Sequence, residues 1–255
     1  MKKKLVFIVG GNGSIGTEIH KKFDKLKNYR IIILDIKKNK KLNSNIHQVY
    51  FDLSKLKNIQ NNIKKVIKKF GCPDVFINTS YPITKMWKNI SYNNLDYISL
   101  SKNIEIHLNS FALSANEVAK HMAKNKVKGS IIILNSIYGI LGQDNNLYKN
   151  TNIKPNPIYS LIKGGLANFV KGLAAYYGKY EIRVNSIIAG GIKGNIAGSK
   201  IKQNQNFKKK YNLKTPLGRM ARADEIASPV IFLASDEASY VTGANYFVDG
   251  GFSII

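Results

Sequence analysis

The sequence predicts an α/β fold, a doubly wound and mostly parallel sheet with helices on both faces, and three observations predict it. The first is Lys4 to Gly16, KLVFIVGGNGSIG, where an apolar run breaks into glycines and then into apolar residues at helical spacing. The second is Arg30 to Asp35, RIIILD, another apolar run, which ends in a carboxylate nineteen positions after Gly16. The third is the continued alternation of such runs with amphipathic segments, which implies right-handed crossovers between parallel strands.

Taken in order, Leu5 to Val9 suits a strand buried on both faces of a parallel sheet. Gly10, Gly11, Gly13 and Gly16 turn it into a helix, Ser14 to Leu26, whose Ile15, Ile19, Phe23 and Leu26 share a face. The start of such a helix offers unpaired backbone N–H groups and a positive dipole end to a pyrophosphate. A carboxylate about 20 residues on suits the adenosine ribose hydroxyls of a dinucleotide, which makes Asp35 the candidate. Asp35 would repel the extra phosphate of NADP and so favours NAD, a preference that Lys37 and Lys38 soften. Ile46 to Phe51 is a third strand. Asp52, before Leu53, is either an acceptor for the adenine amino group or a cap for the helix Ser54 to Phe70. That helix carries Leu56, Ile59, Ile63, Val66, Ile67 and Phe70 on one face and lysines on the other. Asp74 to Asn78 is a fourth strand, ending in the polar Asn78-Thr79-Ser80, and cofactors in open α/β sheets sit outside such ends.

Tyr97 to Lys124 reads as one long helix or two abutting ones, with His107 inside it. Ser130 to Leu134 is a fifth strand, leading to Asn135-Ser136. Gly139 to Pro157, polar and turn-rich with Gln143, Asp144, Asn145 and Asn146, reads as a loop over a site. Tyr159 and Lys163 then share one face of a helix and present a phenol beside an ammonium. That ammonium favours phenolate and draws the tyrosine pKa down from about 10 towards a range useful for proton transfer. Tyr81 and Lys85 repeat the spacing, but Pro82 disfavours a helical Tyr81 and no strand-end serine precedes it. Strands over Ile182 to Ile188 and Asn245 to Val248, with a helix over Ile226 to Ala234 between them, bring the strands to seven.

A chain of 255 residues that is 44% hydrophobic can bury a sizeable core and suits a single domain over 1–255. The basic Lys2 to Lys4 precede an apolar run too short for the core of a signal peptide, and no stretch is long enough to span a membrane. A single cysteine, Cys72, excludes an internal disulfide and is compatible with the cytoplasm. Four scattered histidines and that cysteine make no metal-ligand spacing, so no metal is expected. The formal charge of +25, from 40 Lys and Arg against 15 Asp and Glu, admits an anionic partner. The excess is nearly all lysine, as an AT-rich genome would supply, and no helix-turn-helix, zinc-finger or aromatic RNA-binding signature accompanies it; no nucleic acid is expected.

The glycine turn, Asp35, Asn78, Ser136 and Tyr159xxxLys163 together resemble the short-chain dehydrogenase/reductase family in order and spacing. The resemblance runs through the Ala189-Gly190 turn to the closing Val241 to Gly251. Asn78 to Pro82, Asn135 to Gly139 and Ile188 to Ile192 look like a subgroup found in bacterial flagellin and surface-glycan modification. The resemblance implies a Rossmann-type sheet and an NAD(H)-dependent alcohol/ketone oxidoreductase. Tyr159 would be the general acid/base; Lys163 would lower its pKa and hold the nicotinamide ribose; Ser136 would orient the reacting oxygen. It implies dinucleotide contacts from Gly10, Asn12, Gly13, Ser14, Ile15 and Gly16, from Asp35, Asp52, Leu53, Asn78 and Thr79, and from Gly190 and Ile192. His107 stands where the family has a proton-relay asparagine. It either binds a relay water and titrates near neutrality or is a buried helix histidine. Val9 and Ala189 replace a threonine and a proline.

A substrate loop spans about 190–215 in relatives. Its Lys193, Lys200, Lys202, Lys208, Lys209, Lys210 and Lys214 are either solvated or a platform for an anionic sugar, a phosphosugar or nucleotide sugar. Two alternatives stand beside the sugar oxidoreductase: a 3-oxoacyl-(acyl-carrier-protein) reductase type, and a catalytically silent dinucleotide-binding partner. The family also implies a homodimer or homotetramer, with Leu108, Phe111, Val118, Phe169 and Leu173 as candidate contacts.

Overall fold

The apolar runs pair side by side into one sheet of seven parallel strands in the computed structural model, which describes residues 3–39, 42–151, 153–195 and 202–255. These are β1 (Lys4–Val9), β2 (Tyr29–Asp35), β3 (Ile46–Tyr50), β4 (Val75–Asn78), β5 (Ser130–Ser136), β6 (Arg183–Ala189) and β7 (Asn245–Val248). Their order is β3-β2-β1-β4-β5-β6-β7, so the winding reverses between β1 and β4 and a crevice opens outside the strand ends there. The helices are α1 (Ser14–Leu26), α2 (Leu56–Phe70), α3 (Tyr97–Asn103), α4 (Ser110–Lys124), α5 (Asn145–Tyr148), α6 (Pro157–Tyr177), α7 (Gln205–Leu213) and α8 (Ala223–Ala234).

Strand alternation divides the core. Leu5, Phe7 and Val9 point to the layer containing Ile59, Val118 and Leu166 of α2, α4 and α6, whereas Val6 and Ile8 point to Ile19 of α1 and Val230 of α8. A third cluster, Ile137, Leu147, Ile188, Tyr211, Met220 and Phe252, packs the loop after β5 against α7. Among the described residues no helix is long and apolar enough to cross a membrane.

The long helical stretch is continuous but not regular: a π-helical segment, Ile104–Asn109, joins α3 to α4 and contains His107. Both long loops hold a helix, α5 in one and α7 in the other. β5 extends through Ser136, which is in register with Ala189 of β6, because the parallel ladder continues past the apolar run. Asp52 does not cap α2. The helix starts later, at Leu56 after Lys55, and an Asp52 carboxylate oxygen accepts from Ser54 N at 2.9 Å and Ser54 Oγ at 2.7 Å instead. Phe111 and Val118 cannot be interface residues, because both are consumed by the core under the sheet. Lys2 and Lys200 lie outside the described residues.

Candidate active site

The first half of the site is a backbone cradle. Gly10 sits at φ +73°, where a Cβ would come within 2.7 Å of Ser80 N and Cα, and a Cβ on Gly16 would lie 2.3 Å from Gly10 O. The side chains are missing so that β1, α1 and the end of β4 can close on one another. α1 begins at Ser14 with no side-chain cap, which leaves its first N–H groups facing the crevice. An added methyl cannot be absorbed by backbone. Gly16→Ala is therefore expected to cost about 1–3 kcal/mol and to weaken dinucleotide binding, as read from thermal unfolding and NADH fluorescence titration.

Asp35 closes the cradle from the end of β2. It is buried, and its two oxygens accept from Asn12 N and Lys37 N, each at 2.9 Å. Asn12 turns its side chain away to donate to Lys37 O at 2.6 Å. The glycine turn and the segment after β2 are thereby tied together, and each Asp35 oxygen keeps a lone pair for a ligand hydroxyl. The uncapped helix start, the missing Cβ atoms and this carboxylate fit a dinucleotide.

The second half is built at the ends of β5 and α6. Asn156 caps α6, accepting from Ile158 N at 3.0 Å and Tyr159 N at 3.3 Å, so Tyr159 emerges from the first turn. Asn135 joins the two elements: its Oδ1 accepts from Ser136 N at 2.9 Å and its Nδ2 donates to Lys163 O at 3.1 Å. Gly139 lets the chain lie against α6, since a Cβ there would be 2.6 Å from Lys163 O. Lys163 Nζ is buried, donates to Leu134 O at 3.3 Å and lies 5.8 Å from the centre of the Tyr159 ring.

Burial governs the protonation of this group. Lys163 is pushed down to about 7 by loss of solvent. Tyr159 is raised above the usual phenol value by its own burial, against which the neighbouring Ser136 hydroxyl works only in part. The expected lowering of Tyr159 by Lys163 is not found: desolvation outweighs the one opposing contribution, from Ser136, and Lys163 Nζ donates to Leu134 O and not to the phenol. His107 likewise does not titrate near neutrality: burial, then the charge of Lys163, hold it well below the usual histidine range. Both of its ring nitrogens are without a hydrogen-bond partner among the described residues.

A cavity of about 610 Å³ joins the two halves. It is lined by Gly10, Gly13, Ser14, Ile15, Gly16, Asp35, Asp52, Leu53 and Thr79 at one end and by Ser136, Tyr159, Lys163, Gly190 and Ile192 at the other. Asn12, Asn78 and His107 are not in its lining. Asn78 is fully buried and accepts from Ser80 N and Oγ, at 3.1 and 2.6 Å. Aromatic rings surround the tyrosine: Tyr81 and Trp87 lie 6.1 Å from the Tyr159 ring and Tyr138 lies 6.3 Å from it. Sequence reasoning missed this wall. Tyr81 is not helical, as expected, but the chain turn that disqualifies it as a catalytic pair is what brings it to the site. The run Tyr81-Pro82-Ile83 after a strand end was the signal that could have found it. Two lysines of the 190–215 segment are engaged with the opposite loop: Lys214 pairs with Asp144 at 2.8 Å, and Lys210 donates to Asn146 O at 2.9 Å and to Lys149 O.

A family model described as enoyl-(acyl carrier protein) reductase matches residues 10–253. The chain is similar to the post-translational flagellin modification protein A of Campylobacter coli, 30% identical over 265 residues and covering 100% of both proteins. It is also similar to 3-oxoacyl-(acyl-carrier-protein) reductase FabG of Buchnera aphidicola subsp. Schizaphis graminum, 30% identical over 268 residues and 98% of each. A crystal structure of a short chain dehydrogenase from Leptospira borgpetersenii with bound NAD+ superposes with a TM-score of 0.86 at 29% identity, covering 99% of this chain and 94% of that one. With the cradle, the strand order and these matches in agreement, the chain belongs to the short-chain dehydrogenase/reductase family of NAD- or NADP-dependent oxidoreductases.

Proposed function

We propose that the protein interconverts an alcohol and a ketone on a carbohydrate, a phosphosugar or nucleotide sugar, using NAD(H), in bacterial surface-glycan or flagellin-glycan synthesis in the cytoplasm. The observation that carries the reaction is one cavity lined by the glycine cradle at one end and Ser136, Tyr159 and Lys163 at the other. A nicotinamide dinucleotide, when bound, supplies the hydride chemistry. The N–H groups at the start of α1 would hold its pyrophosphate and Asp35 its ribose hydroxyls, and the carboxylate is the reason to favour NAD over NADP. Ser136 Oγ holds the reacting oxygen of the substrate. Tyr159 delivers a proton to that oxygen in reduction and removes it in oxidation, and its protonated resting state suits the first role. Lys163, close to neutrality in pKa, holds the proton behind it.

The sugar rests on two supports. The Campylobacter coli relative is named for flagellin modification, and Tyr81, which lines the cavity 6.1 Å from the Tyr159 ring, is an aromatic group against which a pyranose can pack. Lys193, Lys202, Lys208 and Lys209 remain on the substrate segment as sources of positive field for a phosphate. An acyl thioester substrate is the second reading, favoured by the similarity to the Buchnera reductase. Assembly through the groove between α4 and α6, where Asn116, Phe169, Leu173 and Tyr176 meet, suits a second copy of the chain.

Absorbance of the nicotinamide, followed with NAD or NADP against sugar phosphates, nucleotide sugars and acyl thioesters, tests the proposal. NAD reduction with one sugar class is the expected result. Turnover with acyl thioesters alone overturns the carbohydrate assignment, and a preference for NADP overturns the role of Asp35.

A further inference from the structure

We infer that Gln143, in the loop after β5, is the positioning residue that holds the Tyr159 end of α6, and the buried Trp87 ring beside it, in working register. The inference rests on Tyr159 being the general acid/base.

The Gln143 carboxamide has two donors and two acceptor lone pairs, and every one of them is used. Nε2 donates to Asn156 O and to Ser160 Oγ, each at 2.8 Å, while Oε1 accepts from Asn156 N at 3.0 Å and from Tyr148 OH at 3.4 Å. Two of these bonds grip Asn156 by its own backbone N–H and carbonyl, as one strand grips another. Asn156 then spends its side chain on the site: Oδ1 caps α6 at Ile158 and Tyr159, and Nδ2 donates to Trp87 O at 3.2 Å. One clamped residue therefore fastens both the acid/base and a ring lying 6.1 Å from it.

The clamp is also where the packed pair α5 and α7 joins the start of α6. Tyr148, bonded to Gln143, packs its ring 5.5 Å from Phe207 of α7, and Lys214 of the same segment pairs with Asp144, the next residue along. Nothing else bridges Asn156 N and O among the described residues apart from Tyr159 N, which bonds Asn156 O from within the helix at 3.2 Å. Without Gln143 the cap residue keeps its bonds to the helix but loses its anchor to the loop. Tyr159 then wanders by the fraction of an ångström that proton transfer does not tolerate.

Two variants separate this role from packing. Gln143→Met keeps length and removes all polar contacts; Gln143→Glu keeps shape and acceptors but removes the donors to Asn156 O and Ser160 Oγ. The probe is trifluoroacetophenone reduction by NADH, measured beside NADH affinity and backbone hydrogen exchange over residues 156–163. In both variants kcat is expected to fall about 10- to 100-fold, with NADH affinity unchanged to within about a factor of two and faster exchange at 156–160. A kcat in both variants within about a factor of two of the parent, while Tyr159→Phe is inactive, overturns the inference and leaves the acid/base reading standing. Activity retained in Tyr159→Phe overturns the acid/base reading itself. If the ketone is not turned over, unchanged exchange at 156–160 in both variants overturns the clamp, and faster exchange there supports it.

Discussion

Tyr159→Phe is expected to lower turnover by roughly 10³-fold, about 4 kcal/mol in the barrier, while leaving NADH affinity and thermal stability close to those of the parent. The reason for the split lies in the geometry. The phenol projects into the cavity from the first turn of α6, whereas the dinucleotide cradle is made from β1, α1 and β2 at the other end. Removing one hydroxyl takes away the proposed proton donor and disturbs no backbone contact, since Tyr159 N and its partners on Asn156 remain. Ser136 Oγ still accepts from Tyr138 N at 3.3 Å, and its hydroxyl, which lines the cavity, can turn to solvent. Steady-state rates beside a fluorescence titration with NADH check the claim. An equal loss of binding and rate would mean that the substitution had damaged the fold and not the chemistry.

Lys163→Met is expected to abolish turnover and at the same time to stabilise the protein without added dinucleotide, most at acid pH. The ammonium is buried, has Leu134 O as its hydrogen-bond acceptor, and is pushed from the ordinary lysine value down to about 7. In the unfolded chain the same amine titrates near 10.5. Between those values the unfolded chain binds a proton that the folded chain does not, so stability rises with pH through this window. Below about 7 both forms are protonated and the cost of the buried charge is fully present. That cost has a ceiling on the order of 5 kcal/mol. Relaxation trims it, and a gain of about 1–3 kcal/mol at pH 6 is expected for the methionine, shrinking as the pH approaches 10. Calorimetry at acid and alkaline pH reads both the sign and the trend; a variant less stable than the parent at pH 6 sinks the argument.

The elements whose signal is local are legible in the sequence. α1 and β7 have the bounds that periodicity predicts, and β1, β2 and β6 differ by a residue at their ends. Apolar runs broken by glycine leave a buried parallel strand few alternatives. The positions of Asp35, Ser136, Tyr159 and Lys163 are legible for a different reason: the first three lie at the end or first turn of an element and Lys163 one turn beyond Tyr159, so spacing along the chain carries their placement. The ring cluster around Tyr159 is not. Tyr81, Trp87 and Tyr138 come from separate segments and meet only because β4, β5 and α6 end at the same edge of the sheet. Gln143 and Asn156 are ordinary polar loop residues until a clamp closes over thirteen positions.

What the sequence by itself determined is the alternation of strand and helix, the glycine turn and the strand ends that face the cavity, because these follow from side-chain periodicity and from the absence of a Cβ. What only the tertiary structure decided is the state of the groups once assembled. The spacing of Tyr159 and Lys163 speaks for a lowered phenol, yet burial raises the phenol and lowers the amine. Desolvation depends on everything that packs around a charge, and no interval along the chain encodes that. His107 shows the same limit, an imidazole whose position is legible and whose neutrality is imposed by the core that closes over it.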